Sequence, residues 1–392
     1  MIINGQFKNN ELALYGELKI HNDSSSSLEV NGEYKDTDTI LTEKYIFIKD
    51  NNQIVTLKDA LYYKKSRTKS ILTPNMVFIS NKKYTYNLEE IDVKKVILSL
   101  DNINNFYGNN SERTSKNIDI IYQDYNIKIS FQWDFNIGQR KNIIEISSTN
   151  IYNFKEYQNI IYKLVTFISF AIGDIANQKD TYFIDKDGNK VKIYYTPSFY
   201  KKDGKPKQSV LFDMHNINIQ SLFNGWVNLL AIADPLIPLY FMPYFYKIDL
   251  NVKYILLTQG LEAFHRKITR NDNMIFIKRI KDIVFNDIYK KFLLQLSNEE
   301  ELEDLCKKIR TTRNYLTHYN VNQENEILEG KEKIFTCIKL ELFIDLYLLK
   351  YIGFLEDDFK SIYNSVIKDS FDRENVIQTT LANKYEETNN LP

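Results

Sequence analysis

Hydrophobic and polar positions change rhythm about 150 residues into this chain. Before that point the period is two. Ile127, Ile129, Phe131, Trp133 and Phe135 alternate with Lys128, Ser130, Gln132 and Asp134. That alternation gives a strand one buried and one wet face. Tyr45–Ile48 and Ile54–Leu57 flank Lys49-Asp50-Asn51-Asn52, so a hairpin is expected there. Leu12–Ile20 and Ile143–Ser147 are also strand-like, and Ser24–Ser27 reads as a polar loop.

The rhythm then lengthens. Asn153 is placed to cap a helix over 154–172. Tyr182–Ile184 and Val191–Ile193 bracket Asp185-Lys186-Asp187-Gly188-Asn189. The Asp-Gly pair predicts a tight hairpin. A calcium loop would need later ligands and a bidentate Glu, which this segment lacks. Lys201–Lys207, with Gly204 and Pro206, reads as a loop. A helix is expected over 221–233, and Pro235, Pro238 and Pro243 mark an elbow after it. From about 248 onward every segment is helical in pattern: 249–269, 273–295, 298–318, 328–353 and 356–368. Glu299–Glu303 makes an acidic first turn, favourable against the helix dipole. The tail beyond 372 is polar and expected to fray.

This pattern defines an α+β chain: a β-rich N-terminal domain followed by an all-α helical bundle. The expected boundaries are 1–245 (β-rich to about 150, mixed after), 246–370 for the bundle, and a polar tail over 371–392. A hydrophobic content of 43% is ample for two cores. The formal net charge is +0, so any affinity for nucleic acid must come from a local patch. Cys306 and Cys337 lack C-x-x-C spacing and read as buried free thiols in a reducing compartment. No basic-then-apolar leader opens the chain. The most apolar stretch, 226–246, is broken by Asn228, Asp234 and three prolines, which argues against a spanning helix. A soluble cytoplasmic protein without membrane contact is expected.

The candidate chemistry lies in Arg313-Asn314-Tyr315-Leu316-Thr317-His318. On a helical wheel Leu302, Leu305, Ile309 and Leu316 share an apolar face. Arg310, Arg313, Asn314, Thr317 and His318 fall in an adjacent arc of about 140°. Asn314 and His318 are i,i+4 neighbours. RNA carries its own nucleophile, the 2′-hydroxyl, and needs a base to take its proton. Histidine titrates near neutrality and suits that role. The attacked phosphate gathers negative charge, which the fixed fork of an arginine matches. Asn314 would orient the imidazole or bind a phosphate oxygen, with Arg310 and Thr317 as substrate contacts. No metal or other cofactor is required, and the product would carry a 2′,3′-cyclic phosphate. The bland alternative is a chance Arg and a His that caps its helix C-terminus.

Other sites carry less. The four histidines show no H-x-H or H-E-x-x-H spacing. Gly330-Lys331 lacks the glycine-rich lead of a P-loop, and no G-x-S-x-G occurs. His215 reads as a structural histidine, and His21 as an exposed one. The aromatic run Tyr240-Phe241 and Tyr244–Tyr246 reads as packing rather than a base-stacking platform.

With its Arg313-Asn314-x-x-x-His318 pattern, the bundle resembles a HEPN (higher eukaryotes and prokaryotes nucleotide-binding) domain over roughly 248–368. Leu261-Glu262-Ala263-Phe264-His265-Arg266 is similar to the first helix of the ApeA-like group. The β-rich half is similar in order and size to the N-terminal domain of ApeA-like proteins. The resemblance implies a bacterial anti-phage ribonuclease of the abortive-infection type, a toxin restrained or triggered by its N-terminal sensing domain. It implies a homodimer, with stacking into something larger left open, in which Arg313 and His318 of both copies surround one RNA phosphate. The substrate is RNA, transfer RNA being one candidate, and the trigger would be phage-encoded. Arg313, Asn314 and His318 carry over as catalytic; Glu262 and His265 do not, and read as packing or ion-pairing residues. The second reading is a non-catalytic RNA-binding or protein-interaction HEPN module.

Overall fold

The computed structural model describes residues 1–8, 13–21, 26–31, 46–50, 53–64, 69–82, 87–108, 115–134, 139–195, 210–215, 217–319 and 327–373. The expected loop at 201–207 lies outside these residues, as do Tyr45, Phe135 and, apart from Arg373, the tail expected to fray beyond 372. The chain divides into two compact units. One comprises Met1–Ile168 with Ile175–Tyr200; the other comprises Ser169–Asp174 with Lys201–Pro392. The expected boundary at 245/246 falls inside the second unit.

Strands of the first unit are β1 (Ile2–Lys8), β2 (Ala13–Ile20), β3 (Ser26–Asn31), β4 (Ile46–Asp50), β5 (Gln53–Lys64), β6 (Lys69–Ser80), β7 (Asp92–Leu100), β8 (Lys116–Tyr122), β9 (Tyr125–Asp134), β10 (Gln139–Asn153), β11 (Gln178–Asp185) and β12 (Lys190–Tyr195). They pair in the order β3-β2-β1-β4-β5-β6-β12-β11-β7-β10-β9-β8, with a further pairing of β3 to β6. That last pairing, Leu28 opposite Leu72, closes the first six strands into an antiparallel ring. Leu18, Leu28, Val30, Val55, Leu57 and Leu72 fill it. Strand β6 serves both parts: its first half pairs with β3, while Met76–Ile79 pairs with β12 and carries the sheet onward.

On β9 the expected alternation appears, with Ile127, Ile129 and Phe131 fully buried. Trp133 is only half-buried, and the Arg140 guanidinium lies 5.9 Å from its ring. The β4–β5 hairpin forms with Ile48 opposite Val55. Ser26 and Ser27, expected in a loop, instead open β3: Ser26 pairs with Ile20, and its hydroxyl donates to the Pro74 carbonyl at 3.4 Å. A hydroxyl satisfied by a backbone oxygen lets Ser26 be buried in a strand that hydropathy alone would exclude. The hairpin at 185–189 closes on Asp185, whose Oδ1 accepts from the Asp187 and Asn189 amides at 3.0 and 2.8 Å. Lys82 reaches the same carboxylate at 2.6 Å. Helix α1 (Asn104–Tyr107) is one turn, and α2 (Phe154–Ile172) starts with a reciprocal cap between Asn153 and Glu156.

The second unit holds α3 (Ile219–Ile232), α4 (Leu236–Phe245), α5 (Leu250–Thr269), α6 (Phe276–Val284), α7 (Lys290–Leu293), α8 (Glu299–His318), α9 (Gly330–Ile352) and α10 (Glu356–Ser361). A single helix over 273–295 was expected, and the structure breaks it between α6 and α7. Asn286 and Asp287 lie at the break, and the Asn286 side chain accepts from the Ile288 amide. Such a local side-chain bond competes with the helix ladder. The segment expected as one helix over 356–368 likewise ends at Ser361 and continues as a π turn over Tyr363–Lys368. Among the described residues no single helix is long and apolar enough to cross a membrane. The apolar pair α3 and α4 bends by 102° and packs against α9 and α5. Tyr240, Phe241 and Tyr244 are buried in that packing, and the Tyr240 hydroxyl donates to Asp345 Oδ1 at 2.6 Å.

Candidate active site at the end of helix α8

Helix α8 begins with a reciprocal cap. Asn298 Oδ1 accepts from the Glu301 amide at 2.9 Å, and Glu301 Oε2 accepts from the Asn298 amide at 3.1 Å. The three glutamates of that first turn complement the helix dipole. Its buried stripe is Leu302, Cys306, Ile309 and Thr312, with Thr311 beside it. Leu305 and Leu316, expected on the core face, are half-buried. Threonines take their place, and burial of Thr312 is compensated because its Oγ1 accepts from the Leu328 amide at 2.8 Å. Tyr254 of α5 donates to the Ile309 carbonyl at 2.9 Å, fixing α8 against α5.

These contacts set the last two turns of α8. Arg313 points at α5, where its Nη2 donates to Glu262 Oε2 at 2.7 Å. Its Nη1 donates to Asn314 Oδ1 at 3.2 Å. The guanidinium carbon also lies 5.3 Å from the Phe276 ring centroid. Glu262 is shared: its Oε1 accepts from Arg266 Nη2 at 3.0 Å. One carboxylate is thus gripped between two guanidinium groups, leaving the trio with a net positive charge. Both members of the Glu262–Arg313 pair are largely screened from water, with side chains 14% and 19% exposed.

Arg313 and this trio border a cavity of about 680 Å³. Its wall includes Glu262, Arg266, Lys267, Arg270, Asp272 and Arg313. His318 stands outside that wall, exposed at the last position of α8. Tyr319 follows in the left-handed conformation, φ 50°, and its amide closes the helix on the Tyr315 carbonyl at 2.7 Å. The Thr317 hydroxyl turns back to donate to the carbonyls of Arg313 and Asn314 at 2.8 and 3.3 Å. Arg310 is half-buried one turn before Arg313.

Of the residues singled out from sequence, the structure therefore joins Arg313 to Asn314 by a hydrogen bond. Asn314 turns its carbonyl oxygen to the arginine, and its amide remains the group suited to a phosphate oxygen. Sequence reasoning set Glu262 aside as a packing or ion-pairing residue; the structure makes it the ion-pair partner of Arg313. The i,i+4 spacing of Glu262 and Arg266 was the available signal. His265, one turn from Glu262, is 1% exposed and faces elsewhere. Its Nδ1 lies 3.4 Å from Arg279 Nη1, and its Nε2 3.6 Å from Asp282. Burial pushes its imidazole below the usual histidine range, helped by the Arg279 and Lys350 charges and opposed by Asp282.

Two models of known families match the chain. The model of the Apea-like HEPN family matches residues 255–358, the stretch that holds most of α5 and all of α6 to α9. The model of ApeA N-terminal domain 1 matches residues 3–226, more than half of the chain. The chain belongs to the ApeA-like HEPN family. No curated protein and no solved structure matches it. Both parts of the ApeA-like arrangement are present, in the order that the resemblance implied. The family points to an anti-phage HEPN effector, and HEPN domains are generally nuclease-like.

Proposed function

We propose that this ApeA-like protein is a metal-independent endoribonuclease effector of anti-phage defence, with Arg313, Asn314 and His318 as its catalytic residues. His318 takes the proton of a ribose 2′-hydroxyl. The resulting oxyanion attacks the neighbouring phosphorus, and the bond to the 5′-oxygen breaks. Arg313 offers two donors to the phosphoryl oxygens as charge builds there. The leaving 5′-oxygen takes a proton from the imidazolium of His318, of this copy or of a second one. The products are a 2′,3′-cyclic phosphate and a free 5′-hydroxyl. Asn314 supplies an amide donor to the same phosphate, and Arg310 and Thr317 lie along the approach of the strand.

The observation that supports this reading best is the pairing of Arg313 with Asn314 at a cation-lined cavity, with an exposed histidine one turn further on. The ion pair with Glu262 is a structural role for Arg313, yet it leaves the guanidinium on the cavity wall, one helical turn before an exposed histidine. Two copies meeting at the ends of α8 would bring two such sets around one phosphate. Tyr319, 73% exposed next to His318, offers apolar area for that meeting. In this reading the β-rich unit senses a phage-encoded trigger, and the protein acts in the cytoplasm.

The test uses cells producing wild type, His318→Ala or Arg313→Ala, with and without phage. New 2′,3′-cyclic phosphate ends should appear with wild type alone, and the RNAs that carry them name the substrate. Light scattering should show the same dimer for all three. Full cleavage by either variant would sink the mechanism. RNA bound equally by wild type and His318→Ala, and recovered uncut from both, would make the bundle a binding module.

A further inference from the structure

The cavity beside Arg313 has a charge pattern that the cleavage step does not use. Arg266, Lys267 and Arg270 of α5 face the same space as Arg313 of α8, against Glu262 and Asp272. Glu262 is already bonded to Arg313 and Arg266. Among the described residues Lys267 makes only a long contact of 3.5 Å, with the Asp234 carbonyl, and is exposed, as is Arg270. Basic residues in the last turn of a helix ordinarily complement its dipole. That accounts for Arg266 and Lys267. It does not account for Arg313, which comes from another helix, nor for the conformation of Arg270.

Arg270 caps α5 in the left-handed region, φ 51° and ψ 30°. Glycine or asparagine adopts that conformation at least cost. A long cationic side chain is held there instead, on the cavity wall. The rim beyond it is anchored from beneath. Arg279 is fully buried, and its Nη2 donates to the Asn271 carbonyl at 2.5 Å and reaches the Asp272 carbonyl at 3.5 Å. The volume, about 680 Å³, lies within the roughly 300–1,000 Å³ of pockets that hold small ligands. The backbone of the rim is thus anchored, and with Glu262 engaged by Arg313 and Arg266 the remaining charges, Lys267 and Arg270 against Asp272, sum to positive.

We infer that this cavity is a phosphate subsite for the RNA strand flanking the cleaved bond, with Lys267 and Arg270 holding backbone phosphates and Arg313 shared with the catalytic set. The inference rests on the reading that RNA is the substrate. Such contacts position a strand without reading its sequence. They also make binding depend on salt, because each phosphate neutralised releases a counterion.

The test measures binding, so it does not depend on cleavage. Full-length His318→Ala protein is titrated against a mixed-sequence single-stranded RNA oligonucleotide by fluorescence anisotropy. The titration is repeated after adding Lys267→Glu and Arg270→Glu, and again with the neutral pair Lys267→Gln and Arg270→Gln. Both positions are exposed, so folding is checked by circular dichroism and expected to persist. The charge-reversed pair should weaken binding at least tenfold, and the neutral pair by less. The slope of log affinity against log salt should become shallower by about 0.7 per lost phosphate contact. Unchanged affinity and slope in both pairs would overturn the subsite. Affinity unchanged by substitution, together with competition by pyrophosphate lost on substitution, would assign the cavity to a small phosphate ligand and equally overturn it. Cleavage by wild type is scored separately. Cleavage with unaltered binding removes the subsite alone; weakened binding without cleavage removes the nuclease reading alone.

Discussion

Glu262 Oε2 and Arg313 Nη2 stand 2.7 Å apart, joining two helices through residues 51 positions apart in the chain. The pair is shielded enough that the carboxylate fixes where the guanidinium fork points. Its second oxygen is held by Arg266, so the carboxylate is itself oriented. The guanidinium is thus held at a fixed angle, with Nε buried and without a hydrogen-bond partner among the described residues.

Glu262 is therefore expected to act as a positioning residue for Arg313. In Glu262→Gln the side chain keeps its shape and loses its charge, and the guanidinium gains freedom. Misplacement on the order of 1 Å is enough to cost about a hundredfold in rate. The expected outcome is a kcat reduced tenfold or more, with KM unchanged or lower because a negative charge has left the cavity. Steady-state cleavage of one defined RNA measures both. A raised KM with kcat intact would place Glu262 in substrate binding instead.

Gly225 tests the packing that supports the bundle. A Cβ built at this position of α3 would drive into the backbone carbonyl of Ile352 at the end of α9. Helix propensity alone favours alanine over glycine by about 1 kcal/mol. Overpacking against backbone costs about 1–3 kcal/mol and here has no flexible side chain to yield. Gly225→Ala should lower the thermal midpoint in spite of its better propensity. A raised midpoint in calorimetry would show that α3 and α9 sit further apart.

Local signals and long-range ones differed in what they made legible. Helix α8 was expected over 298–318 and spans Glu299–His318, because its cap and amphipathic stripe are encoded within a few residues. The hairpin around Gly188 was legible for the same reason. Closure of β3 on β6 was not, since it pairs residues as distant in the chain as Leu28 and Leu72, with no distinctive side chain. The motif itself was legible, and Glu262 was read as a packing or ion-pairing residue, but its pairing with Arg313 was not legible. Which residue of α5 faces Arg313 depends on how the helices rotate against each other, a tertiary outcome. Thr312 escaped notice because hydropathy does not register a hydroxyl satisfied by a backbone amide.

Cys306 and Cys337 offer a chemical check on the bundle core. Both are buried, and burial pushes each thiol up to about 12. The thiolate is the reactive form, so neither should react while the protein is folded. Iodoacetamide at about pH 8, where an ordinary thiol near 8.5 is partly ionised, should add nothing to the native protein. In denaturant it should add two carbamidomethyl groups by intact mass. Rapid labelling of the native chain would mean that α8 and α9 open readily.

His265 gives the bundle a pH dependence of definite sign. Its imidazole is held below the usual value, first by burial and then by the Arg279 and Lys350 charges, with Asp282 opposing. An unfolded chain accepts the proton near pH 6.5, whereas the folded one still refuses it. Between those two values the unfolded state binds more protons, so stability rises with pH. The contribution is intact above about 6.5 and is lost as the pH falls from there toward the lower folded value. Urea midpoints at about pH 7.5 and about pH 5.5, on either side of the ordinary histidine value, should differ more for wild type than for His265→Gln. The variant gives up the ring that stacks on Tyr347. It should therefore be weaker at the higher pH, but flatter across the interval. An equal loss on acidification in both proteins would place the titrating group elsewhere.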